Sequence, residues 1–230
     1  MYPKADKSSV GGLKLASIAF NVISAALSLW AMVHPAPLMM FVTLLLLLPW
    51  LALALGLWFR GLLRVSARKR EPGANIAPAL LFPCVALCLR ASDFHLLSWN
   101  SGVWLALPGA IAFFAVAMLA DTPMGRPLAR GIALLFVAAG YGWGCGLALN
   151  AMLDRSAGTQ YSVDVTDKHV YHGRHTSYDL RLAPWGPQME STTLSVSSRL
   201  YKKVDIGGYV CTALHDGTFG VRWYSVQSCG

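Results

Sequence analysis

The sequence predicts a membrane all-α bundle of about five transmembrane helices joined to a small C-terminal all-β domain, a curved sheet or OB-like partly closed barrel. Three observations predict it. Hydrophobic residues make up 55% of the 230 and charged residues only 13%, about half the charge of a soluble domain. The long apolar runs are confined to residues 11–153, whereas 155–230 alternate polar and apolar residues. Ten of the eleven Lys and Arg outside the C-terminal region flank the apolar runs.

The bundle is assigned to residues 1–154, with helices near 11–33, 38–59, 76–99, 103–120 and 132–153. Four of these runs approach or exceed the roughly 20 apolar residues that cross about 30 Å of hydrocarbon. The third has a clean apolar core only over Ile76–Leu89, with Pro78 and Pro83 inside it. It reaches spanning length only by taking in Arg90 and Asp93. Charge favours five crossings. The basic residues then gather on one side, as Lys4, Lys7 and Lys14, as Arg60 to Arg70, and as Arg126 and Arg130, with no Lys or Arg in the opposite loops 34–37 and 91–102. By the positive-inside rule that side is cytoplasmic, so the expected location is a bacterial inner membrane, N-terminus inside and residues 155–230 periplasmic. The first run is too long for a signal-peptide core and ends without a small-residue cleavage pattern.

Ser17, Asn21, Ser24 and Ser28, with Lys14, recur at spacings that share one helix face, which must turn away from lipid. They are either helix-packing groups or, as Ser17, Asn21, Ser24 and Asn150, the lining of a polar path. Gly140, Gly142, Gly144 and Gly146 form two overlapping small-xxx-small patterns, which let a neighbouring backbone approach closely. Arg90 and Asp93 stand three apart and either pair at the membrane edge or mark a proton or ion pathway. Cys84, Cys88 and Cys145 read as small buried apolar residues.

Beyond Gln160 the period is two. Turn signals stand at Thr166-Asp167-Lys168, Gly173, Pro184-Trp185-Gly186-Pro187, Gly207-Gly208 and Asp216-Gly217, the last predicting a two-residue hairpin turn. The segment Val204-Asp205-Ile206-Gly207-Gly208-Tyr209-Val210 followed by a hairpin resembles the last strands of OB-type barrels appended to bacterial membrane proteins, and the resemblance implies a barrel. Cys211 and Cys229 are the only cysteines of the region, so an oxidising compartment would join them. With a two-residue turn Cys211 faces Arg222, and residues 227–228 must double back for the bridge to close.

His169, His172 and His175 are three apart, alternate faces on a strand and predict no metal site. No nucleophile elbow, HExxH, CxxC or Ser/His/Asp pattern is present, so no enzyme and no cofactor are expected. The basic balance lies beside the apolar runs, and residues 155–230 carry eight basic against six acidic residues, which argues against nucleic acid. Trp185, Trp223 and Tyr224 are candidates for either the domain core or a contact surface. The expected function is a membrane-anchored β-domain that docks a partner protein or envelope ligand, with the bilayer and a protein partner or second copy as partners. A small transporter or channel and a membrane immunity-type protein are the alternatives.

Overall fold

The computed structural model describes residues 7–33, 38–59, 62–65, 74–92, 94–120, 127–172 and 176–229. The chain divides into two units, residues 1–93 with 100–152 and residues 94–99 with 153–230.

The first unit holds helices α1 (Lys7–Val33), α2 (Leu38–Trp58), α3 (Ala77–Ala91), α4 (Trp99–Ala120) and α5 (Pro127–Met152). Between α2 and α3 two short parallel strands pair, β1 (Leu63–Arg64) with β2 (Ala74–Asn75). Among the described residues four helices are long and apolar enough to cross a membrane, and α3, with 15 residues, is a shorter apolar helix. The third helix does not continue to residue 99. Ser92 stops it, donating its hydroxyl to the Leu89 carbonyl at 2.5 Å, and the chain then enters a strand, β3 (His95–Leu96).

Helix α3 also starts with help from outside itself. Its N-cap, Ile76, has no side chain that can accept a hydrogen bond, and a helix start leaves its first N–H groups without partners. Asn75 Oδ1 accepts from the Ala77 N–H at 2.8 Å, Pro78 has no N–H, and Asn21 Oδ1 on α1 accepts from the Ala79 N–H at 3.1 Å. Asn21 Nδ2 donates to the Asn75 carbonyl at 2.6 Å, and the Ser24 hydroxyl reaches the Ala79 carbonyl at 3.4 Å. The polar face of α1 therefore seals the start of α3. At the far end Arg90 Nε donates to the Ala31 carbonyl at 2.7 Å, so α3 runs beside α1 in the same direction.

The glycines of α5 divide their work. A Cβ at Gly142 would lie 2.6 Å from the Ala110 nitrogen, one at Gly146 2.6 Å from the Leu105 carbonyl oxygen, and one at Gly144 2.9 Å from the Leu87 carbonyl carbon. Gly142 and Gly146 thus admit α4, and Gly144 admits α3. Gly140 meets nothing within 4 Å, so of the two small-xxx-small pairs only Gly142/Gly146 is a close-packed seam. Nearby, Trp50 Nε1 donates to the Tyr141 hydroxyl, which donates to the Leu46 carbonyl, and Phe113 stacks on the Tyr141 ring at 4.7 Å. These bonds satisfy the polar ends of two aromatic residues inside the bundle.

The second unit is a curled six-stranded antiparallel sheet in the order β3-β8-β7-β4-β5-β6. Its strands are β4 (Thr159–His172), β5 (Thr176–Leu182), β6 (Thr192–Val196), β7 (Tyr209–His215) and β8 (Trp223–Ser228), with the short helix α6 (Ser198–Lys203) between β6 and β7. The first half of β4 pairs with β7 and the second half with β5. One strand shared by both halves lets the sheet curl around Val163, Val165, Leu180, Leu182, Leu194 and Val210.

Two turn expectations are corrected. Residues 166–168 do not turn. They lie inside β4, where the register slips between Val165 and Asp167. This bulge reverses which side chains face inward: Val163 and Val165 are buried before it, and Lys168 and Val170 face inward after it. The Thr166 hydroxyl donates to the Arg181 carbonyl at 3.1 Å. Lys168 Nζ donates to the Tyr201 carbonyl at 2.7 Å and to the Val204 carbonyl, above the Tyr201 ring. A cation there completes the carbonyl end of α6.

The second correction concerns the last hairpin. Cys211 pairs with Gln227 and His215 with Trp223, so the connection spans residues 216–222 instead of two. Gly217 and Gly220 take positive φ within it, 73° and 74°, a conformation that glycine adopts without strain. In this register Cys229 lies two residues beyond the partner of Cys211. The two form a disulfide with Cα atoms 4.9 Å apart, and residues 227–228 stay paired in β8 instead of doubling back.

Candidate functional site

The bulge in β4 builds a polar concavity. Beyond it Asp167, His169 and Tyr171 point to solvent. The register sets Asp167 beside Arg181 and Arg181 beside Thr193, and sets His169 beside Asp179 and Asp179 beside Ser195. Asp167, His169, Tyr171, Asp179, Arg181 and Thr193 line a shallow hollow of about 220 Å³. Asp179 Oδ1 accepts from the Ser195 hydroxyl at 2.6 Å and from the Ser177 hydroxyl at 3.3 Å. Arg181 Nη2 donates to the Ser191 hydroxyl at 3.3 Å, and His169 packs edgewise on Tyr171 at 4.3 Å. No group of three or more His, Cys, Asp or Glu side chains is arranged to hold a metal among the described residues. His172 ends β4, exposed, and His175 lies outside the described residues.

The aromatic candidates fall elsewhere. Trp185 and Tyr224 are core residues, 6% and 4% exposed, with the Trp185 ring in contact with both Tyr161 and Tyr224. Burial pushes the Tyr224 phenol up from its ordinary range. Trp223 is half-buried, stacked on His215 at 4.4 Å and edge-on to Phe94 at 5.6 Å. Trp185 and Tyr224 therefore belong to the domain core, and Trp223 lies at its edge.

Sequence reading also missed a hub. Asp154, two residues after α5, accepts through Oδ2 from the Gly217 N–H at 2.9 Å and Trp223 Nε1 at 3.0 Å, and through Oδ1 from the Ser156 N–H at 2.8 Å. The Asp216 N–H reaches the Ser156 hydroxyl at 3.3 Å. Residues 154–156 thereby shape the loop between β7 and β8. An Asp followed by a Ser two residues on is a common turn pattern, and that was the only signal in the sequence.

Partial burial alone would raise the Asp154 carboxyl, but hydrogen bonds from Ser156, Trp223 and Gly217 outweigh it and hold the group at about 2, against an ordinary 3.8. A carboxylate lowered on folding stabilises the fold above its unfolded value, and that contribution disappears as pH falls through the folded value. We therefore expect the domain to lose stability between pH 4 and 2, and Asp154→Asn to flatten this acid limb. At pH 7 the substitution should cost about 1 kcal/mol, the worth of charged hydrogen bonds discounted for solvent. Denaturant unfolding of the full chain in detergent, repeated across this pH range, checks both. An unchanged acid limb in the variant would show that Asp154 is not its source.

Several membrane candidates bond backbone groups within the bundle. The Ser17 hydroxyl donates to the Lys14 carbonyl and the Ser28 hydroxyl to the Ser24 carbonyl, while Asn21 and Ser24 bond the start of α3. None of these bonds, among the described residues, goes to Asn150, which is buried in the last turn of α5. Arg90 bonds Ala31, and its expected partner Asp93 lies outside the described residues. Cys84 is buried, Cys88 and Cys145 are partly buried, and all three thiols are free. No family model, curated protein or solved structure matches this chain.

Proposed function

We propose that this chain is a non-enzymatic bacterial inner-membrane protein with five crossings, whose periplasmic C-terminal domain, an OB-type barrel left open, docks a partner protein or envelope ligand. One observation carries the topology. Helix α3 begins level with Asn21 and ends level with Ala31 of α1, so it travels the way α1 travels. Four residues later the chain enters β3, which pairs with β8 of the C-terminal sheet. If α1 starts in the cytoplasm, the sheet belongs to the opposite compartment.

Fifteen residues of helix cover about 22 Å, short of the roughly 30 Å of hydrocarbon. The preceding Leu63, Ala74 and Ile76 are buried against Leu13, Leu55 and Phe59. Non-helical backbone buried in protein is tolerated at membrane depth, and it supplies the missing length. The disulfide suits an oxidising compartment, and the basic residues suit a cytoplasmic face for the other loops.

Within the sheet, β4 to β8 run in the order β8-β7-β4-β5-β6, with α6 between the third and fourth strands. That connectivity supports the OB-type reading. Next to Asp179 of the hollow, Ser195 donates its proton to that carboxylate and shares no hydrogen bond with an imidazole among the described residues, an arrangement suited to binding more than to nucleophilic attack.

A reporter enzyme that folds only in the periplasm tests the placement. Fused after Gly230 it should be active, and inserted after Arg70 it should be silent. Silence at Gly230 would leave α3 as a non-crossing helix and remove the periplasmic domain.

A further inference from the structure

We propose that the hollow on the outer face of β4, β5 and β6 binds a neutral saccharide of the cell envelope, an inference that rests on the docking function above and names its ligand class. The lining alternates acceptors and donors in register: Asp167, Arg181 and Thr193 in one row, His169 and Asp179 in the next, with Ser195 bonded to Asp179. Much of this capacity is unspent. Among the described residues, Asp179 uses Oδ1 alone, Asp167 uses Oδ1 alone for the adjacent Lys168 N–H, and Arg181 bonds only Ser191 through its side chain. Tyr171 stands at the rim with 57% of its surface exposed and its edge steadied by His169.

Each competing ligand class meets an obstacle. An acyl chain or apolar peptide finds no aliphatic side chain among the lining residues. A strong anion faces two carboxylates against one guanidinium. A metal ion finds no three-ligand group and has Arg181 between the carboxylates. A neutral polyol meets none of these. Its hydroxyls both donate and accept, matching carboxylate and guanidinium side by side, and its C–H face can lie on an exposed aromatic ring that is apolar in body and polar at its tip.

The test uses the full chain in lipid nanodiscs and the trisaccharides of glucose, mannose, galactose and N-acetylglucosamine, followed by saturation-transfer NMR with empty nanodiscs as blank. At least one should bind with a Kd near about 1 mM or tighter, and Tyr171→Ala and Arg181→Ala should each weaken it by about tenfold or more. Tyr209→Ala, an exposed tyrosine on β7, should not. Both site variants lie on the solvent face, and an unchanged near-ultraviolet spectrum confirms that they fold. No binding by any of the four sugars at about 10 mM, binding indifferent to both variants, or displacement by inorganic phosphate would overturn the proposal. Failure here with the Gly230 reporter active removes the saccharide alone, whereas a silent reporter removes the docking function whatever the NMR shows.

Discussion

Gly142→Val is expected to leave little folded protein in the membrane, while Gly140→Val, the same exchange two residues away, should be nearly neutral. At Gly142 a Cβ would fall 2.6 Å from the Ala110 nitrogen and 2.7 Å from the Ala110 Cβ, closer still to the Ala106 carbonyl. Those neighbours are mostly backbone, so no side chain can swing aside, and α4 itself must retreat. Overpacking alone costs about 1–3 kcal/mol. In lipid the loss is compounded, because helices are held by close contact with no hydrophobic drive to bring them back together. At Gly140 the added methyls enter open space. Abundance in isolated membranes and thermal aggregation in detergent would measure the pair. Equal losses at both positions would show that helix propensity, not the α4 seam, governs α5.

Replacing Cys211 and Cys229 together by Ala should lower the unfolding free energy of the β-domain by about 3 kcal/mol, the loop-closure term for a bridge of this span. The separation is 18 residues, and the tie fastens β7 to the residue that follows β8. Because small domains are stable by only about 5–15 kcal/mol, the variant should unfold at a visibly lower denaturant midpoint, as should wild type under reductant. Mass spectrometry of protein alkylated without reduction should find both thiols protected. Two modified cysteines would count against both the bridge and the periplasmic placement.

The sequence carried the helices well because lipid imposes long apolar runs, and it marked the α5 glycines because close approach leaves only one residue type possible. It carried the strands of 159–228 less evenly. Asp216-Gly217 is a strong two-residue turn signal, yet Asp154 and Ser156, some 60 residues earlier, hold that loop open, and a distant hydrogen bond leaves no local trace. The bulge after Val165 was hidden for a similar reason: Thr166-Asp167-Lys168 is polar enough to be a turn, and only the carbonyls of Tyr201 and Val204 explain why Lys168 points inward. The hollow was illegible as a consequence, since without the bulge Asp167, His169 and Tyr171 have no common face with Arg181. Helix α6 was missed although Ser197 caps it, accepting from the Leu200 N–H at 3.2 Å. Six residues are too few to show a period.

Strand β3 has a further consequence for how the protein is made. Residues 95–96 leave the ribosome before α4 and α5, and their partners at 223–224 leave it only after both helices. The sheet therefore cannot be finished until both further helices have been made, so the final step of β-folding follows their synthesis. It follows that residues 153–230 expressed alone are not this domain in miniature, since β8 would emerge with an unclaimed row of amide and carbonyl groups, the feature by which strands recruit strangers.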